Sequence, residues 1–190
     1  MKKLILSLMV IATVTACKKE GTIEKNSETT TADSVTVPES NETTKAVIPF
    51  KKIELNPEET AKFLGKQNND TLYVTNFFAT WCGPCMQEIP HFKKKMEELK
   101  DQPVKFTFLD LDQKSDWDTK VKKFAEEQNL SNHIVLLDGS KLTPDFFHAN
   151  FKQWDGGAIP FTFMRKGDKT DETLGSMSEE MLDEKLKSFK

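Results

Sequence analysis

The chain has 190 residues, of which 37% are hydrophobic and 30% charged, with a formal net charge of −3. This length suits one domain with appendages, and the composition supports a packed core only if part of the chain stays outside it. The slightly acidic balance gives no reason to expect nucleic-acid binding.

Met1-Lys2-Lys3 is a basic start, and Leu4 to Ala16 is an apolar stretch too short to span a bilayer comfortably. Val14-Thr15-Ala16-Cys17 then resembles the lipobox of bacterial lipoproteins. That resemblance implies cleavage before Cys17, lipidation of Cys17, and a membrane anchor without a transmembrane helix. The competing reading is an ordinary secretory signal with an incidental cysteine. From Lys18 to about Lys45 the chain is rich in Thr, Ser, Glu, Lys and Asn, with few apolar residues and no period. Such a segment buries too little surface to offset its ordering entropy and reads as a disordered tether. A coil of about 28 residues spans roughly 30 Å on average. The expected division is a signal peptide over 1–16, a lipidated cysteine and tether over 17–45, and one domain over 46–190.

Val47 to Leu55 contains a first strand, placed on a sheet edge because Pro49 interrupts it. Asn56-Pro57-Glu58-Glu59 starts a short helix that Gly65 closes. Leu72 to Phe78 is nearly all apolar, as a central parallel strand covered on both faces should be. The next helix places Met86, Ile89, Phe92, Met96 and Leu99 on one stripe, with Pro90 kinking it and Lys93, Lys94 and Lys95 on its outer face. Val104, Phe106 and Phe108 alternate as a strand, and Asp110 and Asp112 read as its end and the following turn. Ser115 is expected to cap a helix whose Trp117, Val121 and Phe124 share a face. A short strand (His133 to Leu137), a turn (Asp138-Gly139) and a short helix (Thr143 to about Phe151) follow. Phe161 to Met164 is apolar, Lys166-Gly167-Asp168 turns the chain, and a last antiparallel strand runs through Thr173-Leu174. Ser176-Met177-Ser178-Glu179 has the form of a capping box, and the final helix is expected to bury Met181, Leu182, Leu186 and Phe189.

Trp81-Cys82-Gly83-Pro84-Cys85 lies between the central strand and its helix. Two thiols at i and i+3 on a first helical turn can close a small disulfide ring. The first faces unpaired N–H groups and the positive end of the macrodipole, which favour thiolate. Pro84 suits a helix start because its missing N–H would have no partner there. The residues alone therefore give a dithiol/disulfide redox centre.

Asn76-Phe77-Phe78-Ala79-Thr80-Trp81-Cys82-Gly83-Pro84-Cys85 resembles the active-site segment of the thioredoxin superfamily, and Glu88 and Pro90 make it more similar to the extracytoplasmic TlpA/ResA-like branch. The resemblance covers roughly residues 46–190. It implies an α/β fold, a thioredoxin-like three-layer α/β/α sandwich with a mixed sheet and an insertion before the cis-proline strand. It also implies that Ile159-Pro160 is the cis bond facing the cysteines, although trans is the general prior. Cys82 is then the nucleophile and Cys85 the resolving thiol of a redox-active disulfide, with Trp81, Ile159 and Pro160 contacting substrate. Trp81 also admits a packing role over the strand end. Gly83-Pro84 and Ile159 favour a reducing role by the same resemblance. Asn76 stands where thioredoxin has a buried acid and cannot titrate. Glu88 matches a glutamate of the ResA-like branch and is either a proton acceptor for Cys85 or a surface residue.

Zinc binding needs four ligands, but no second Cys-x-x-Cys exists and His91, His133 and His148 are scattered. A related peroxidase would carry Thr where Ala79 stands, and a related copper-delivery protein would space its cysteines by three residues. A tethered binding lipoprotein with a structural disulfide is the remaining alternative. The expectation is a thiol:disulfide oxidoreductase of the bacterial envelope, lipid-anchored and facing the periplasm, monomeric, with no cofactor, metal or nucleic acid. Its partners would be disulfide-bearing client proteins and a membrane or extracytoplasmic electron donor. Apocytochrome c, and so cytochrome c biogenesis, is one of the client classes.

Overall fold

A computed structural model describes residues 48–190. The expected signal peptide, Cys17 and the expected tether lie outside the described residues.

The first strand, β1 (Glu54–Leu55), has two residues, far fewer than the run from Val47 to Leu55 suggests. Pro49 has no N–H to give a ladder, and pairing begins only where Leu136 N reaches Ile53 O at 2.8 Å. Helix α1 (Pro57–Leu64) is capped as its sequence dictates. Asn56 Oδ1 accepts from Glu59 N and Glu59 Oε2 accepts from Asn56 N, both at 2.9 Å. Strand β2 (Leu72–Phe78) leads into helix α2 (Gly83–Glu98), which continues through Pro90. Strand β3 (Val104–Asp110) is followed by a 3-10 turn (Lys114–Asp116), a π-helical turn (Trp117–Val121) and helix α3 (Lys122–Glu127). Asn129, at φ 56°, ends that helix in the left-handed conformation Asn tolerates. Then come β4 (Ile134–Leu137), α4 (Pro144–Asn150), the hairpin β5 (Phe161–Lys166) and β6 (Lys169–Leu174), and α5 (Glu179–Ser188).

The strands form one mixed sheet in the order β1-β4-β3-β2-β5-β6. β2, β3, β4 and β1 run parallel, while β5 is antiparallel to β2 and β6 to β5. Alternation along β2 explains the two cores. Val74 and Phe78 point to one side, where Ile89 and Phe92 of α2, Ala125 of α3 and Leu182 and Leu186 of α5 cover them. Phe77 points to the other, where Leu64 of α1 and Phe146 and Phe147 of α4 close over it. Each fully buried Phe or Leu contributes about 1.5–3 kcal/mol of transfer free energy. The result is the expected thioredoxin-like α/β sandwich, with α4 and its flanking loops inserted before β5.

Tertiary packing overrode several local signals. Ser115 caps nothing and sits inside the 3-10 turn. The box beginning at Ser176 does not form: Ser178 caps α5 by accepting from Met181 N, and Ser176 Oγ instead donates to Pro84 O. Met181 is exposed, and its expected place in the core is taken by Met177, before the helix. Lys95 is not on an outer face: it is buried between α2 and α5, where it pairs with Glu98 at 2.7 Å and Asp183 at 3.2 Å. Asp110 ends β3 and Asp112 lies in the bend after it, as expected, but both are fully buried.

Candidate active site

The C-terminal end of β2 delivers the chain to a turn that α2 terminates. Cys82 is the N-cap of α2: its N–H donates to Ala79 O at 3.0 Å, and its Sγ accepts from Cys85 N at 3.2 Å. Pro84 occupies the first helical turn, where its absent N–H costs nothing. Cys82 and Cys85 are joined as a disulfide, with Cα atoms 5.3 Å apart. Cys85 is wholly buried, and Cys82 is 4% exposed. Of the two sulfurs, only that of Cys82 is at the rim.

The Ile159-Pro160 bond is cis, and Cys82 Sγ lies 3.8 Å from Ile159 O. Pro160 is buried, and Ile159 and Ala158 line a groove with Cys82, Pro84 and Trp81. Trp81 is 70% exposed, so it does not pack over the strand end and leaves an apolar face free beside the disulfide. The opposite wall is built on aromatic packing. Trp154 stacks on Phe161 at 4.3 Å, and its Nε1 donates to Ala158 O at 2.8 Å. Gly156 takes a φ of +87°, and a Cβ there would meet the Phe147 ring at 2.3 Å. Only glycine fits this bend.

Beneath the disulfide lies a polar network that the sequence does not announce. Glu88, one turn beyond Cys85, is 1% exposed. Its Oε1 accepts from Asn76 Nδ2 at 2.7 Å and its Oε2 from Met177 N at 2.8 Å. Asn76 Nδ2 also lies 3.0 Å from Thr162 Oγ1, while Asn76 Oδ1 has no partner. Burial pushes the Glu88 carboxyl up, opposed by these two hydrogen bonds and by the charge of His91. In this orientation the Asn76 amide donates to Glu88, which suits an ionised carboxylate. His91 Nδ1 contacts Met177 O at 3.1 Å, so α2 side chains hold that residue's N–H and C=O alike.

A second anchor holds the turn from the other side. Asp112 Oδ2 accepts from Thr80 N at 2.6 Å, and Oδ1 accepts from Thr80 Oγ1 at 2.8 Å. Trp117 Nε1 donates to Asp112 O at 3.1 Å. The pairing of Thr80 with Asp112 spans 32 positions, so no local pattern marks it. Among the described residues, no group of three or more His, Cys, Asp or Glu is placed to hold a metal ion.

A disulfide across the first turn of the helix after the central strand, opposite a cis-proline, defines a thioredoxin-like fold with a dithiol/disulfide site. The sequence profile of the AhpC/TSA family matches residues 48–170, and the chain belongs to that family. Among curated relatives, it is 28% identical over 118 residues to "Thiol-disulfide oxidoreductase ResA" of Bacillus cereus (strain ATCC 10987 / NRS 248), covering 60% of this chain and 61% of that one. It is 30% identical over 119 residues to "Thioredoxin-like protein YneN" of Bacillus subtilis, covering 60% and 62%. It is also 37% identical over 76 residues to "Thioredoxin-2" of Saccharomyces cerevisiae, covering 40% and 67%. The match to the ResA relatives thus takes in about three fifths of their length. The solved structure of a "thiol:disulfide interchange protein, thioredoxin family protein from Chlorobium tepidum TLS" superposes with a TM-score of 0.50 at 20% identity, covering 63% of this chain and 79% of that one. That likeness concerns the fold. No helix among the described residues is long and apolar enough to cross a membrane.

Proposed function

We propose that the chain is a thiol:disulfide oxidoreductase that reduces disulfides of extracytoplasmic client proteins while tethered to a bacterial envelope membrane through Cys17. The observation that carries the redox reading is the Cys82–Cys85 bond at the N-terminus of α2, with Cys82 at the rim of a groove beside exposed Trp81 and Ile159. A purely structural bridge gains nothing from lying against a groove, whereas Cys82 there is the one sulfur of the pair that lines a surface a client could occupy. The relatives named thiol-disulfide oxidoreductases support the same reading.

In the reduced protein, the Cys82 thiolate attacks one sulfur of the client disulfide. A mixed disulfide forms, and the first client sulfur leaves as a thiolate that takes a proton from water. Cys85 then loses its proton to the Glu88 carboxylate and attacks Cys82 Sγ. The second client thiolate is released and the Cys82–Cys85 bond closes. Two electrons pass to the client, and an electron donor at the membrane restores the dithiol. Burial holds a thiol's pKa up, so a nearby proton acceptor lowers the barrier to the second step. Trp81 and the Ile159-Pro160 backbone form the contact surface for the client chain.

The test pairs insulin reduction with trapping. The wild type should reduce insulin disulfides with a dithiol supplied. Cys85→Ser should accumulate mixed disulfides with clients and Cys82→Ser should form few. A wild type that leaves insulin intact, or two variants that trap clients equally, would remove the oxidoreductase reading or the nucleophile assignment respectively.

A further inference from the structure

The exchange chemistry makes no use of two carboxyls in the interior. Asp110 closes β3 and Asp112 follows two residues later, and both are fully buried. Asp112 is satisfied by the N–H and hydroxyl of Thr80. Neither oxygen of Asp110 makes a well-formed hydrogen bond, and the backbone N–H of Asp112 is the donor beside them. Asp110 is in register with Phe78, the strand residue just before the cysteine-bearing turn. Alternation along β3 puts it on the same face as Phe106 and Phe108, the face that α2 covers. A buried carboxylate with so little donation is far costlier than the neutral acid. A proton on Asp110 turns it into a donor beside an anion, and two neighbouring carboxyls that share one proton are the usual outcome of such crowding.

We propose that Asp110 and Asp112 form a one-proton acid pair that positions the Thr80-Trp81-Cys82 turn, with Asp112 as the anion that grips Thr80 and Asp110 as its neutral partner. The inference rests on thiol–disulfide exchange as the activity. Both are positioning residues, acting on Cys82 through Thr80. The groups around them fit this role. β2 and β4 present Phe78 and Leu136 in register with Asp110. Asp116 on the 3-10 turn adds negative charge. The cations on this side, Lys52 and Lys114, lie over the Trp117 ring at 5.7 and 5.2 Å from its centroid, and each is paired with its own acid, Asp118 and Glu54. Burial and the Asp112 carboxylate raise Asp110 from an ordinary 3.8 to about 9. Above that pH a second negative charge appears beside Asp112. The grip on Thr80 then weakens and the turn loosens.

The experiment uses the oxidised protein, in which Cys82 and Cys85 do not titrate. The carboxyl carbons of Asp110 and Asp112 and the amide of Thr80 are followed by NMR from acid through neutral to strongly alkaline pH. In the wild type the Thr80 amide should shift in step with Asp110, in one alkaline transition. That transition should be absent in Asp110→Asn. In Asp112→Asn it should move to lower pH, because the neighbouring charge is gone while the side-chain shape remains. In the reduced direction, the ratio of insulin-reduction rates, wild type over Asp110→Asn, should fall about tenfold through the same transition as the turn loosens. Titration of Asp110 in the ordinary carboxylate range, or a Thr80 amide indifferent to Asp110, overturns the pair. The titration needs no substrate, so this result is separate from failure of the insulin assay, which would overturn the oxidoreductase reading alone.

Discussion

The proposed proton transfer from Cys85 turns on Glu88. Burial raises its carboxyl above the ordinary 4.5. The folded state therefore holds the proton more tightly than the unfolded chain does. The resulting contribution to stability is full below the unfolded value and is lost as pH rises through the raised folded one. Glu88→Gln cannot ionise, so its stability relative to wild type should improve as pH rises through that window, measured as the difference in Tm across a pH series. The same variant should reduce insulin roughly tenfold or more slowly near neutral pH, since a positioned proton acceptor is worth at least about that much. Equal rates with altered Tm would make Glu88 a structural carboxyl and leave Cys85 without an acceptor.

At the scale of elements, the groove wall between α4 and β5 depends on one backbone conformation. The Phe147 ring fills the space where a Gly156 side chain would go, and Trp154 fixes the far end of the loop through Ala158. Gly156→Ala must leave its positive φ or displace the ring. A cost of about 1–3 kcal/mol is expected, read as a lower midpoint in urea. The displaced loop should also raise KM for a protein disulfide more than for a small one such as oxidised glutathione, because only the larger substrate uses the whole groove. Wild-type stability in Gly156→Ala would show that the loop bends elsewhere at no cost. α2 is constrained differently. Its exposed lysines do not define one solvent face, because Lys95 turns inward to Glu98 and Asp183 and ties α2 to α5.

At the scale of the whole molecule, the proposed anchor sits at Cys17, ahead of the described domain. Lipid chains on one cysteine hold a protein to a membrane through buried CH₂ groups, at about 0.8 kcal/mol for each. Full-length protein made in a bacterial host should incorporate labelled fatty acid and fractionate with membranes, and Cys17→Ser should do neither. A Cys17→Ser protein that stays with the membrane fraction to the same extent sinks the lipoprotein reading. The redox domain would be untouched, since its fold and site lie within residues 48–190.

The sequence by itself determined what depends on near neighbours along the chain. The apolar run Leu72–Phe78, the cap at Asn56 and the Cys82-Gly83-Pro84-Cys85 turn are local patterns, and each forms where it was read. The cis form of Ile159-Pro160 was legible only through family resemblance, because local energetics favour trans. Tertiary structure alone decided which polar residues meet across the fold. Asn76 reaches Glu88 and Thr162 from three separate elements, and Thr80 finds Asp112 across the sheet. Period and propensity say which face a residue takes. They do not say what stands opposite, so the burial of Asp110 at the strand end and of Asp112 after it is not legible, and Lys95 reads as a surface charge. The same limit misplaced the last cap. Ser176 and Ser178 both satisfy the local rule, and the pull of Met177 into the core, with its N–H on Glu88, leaves Ser178 at the helix start.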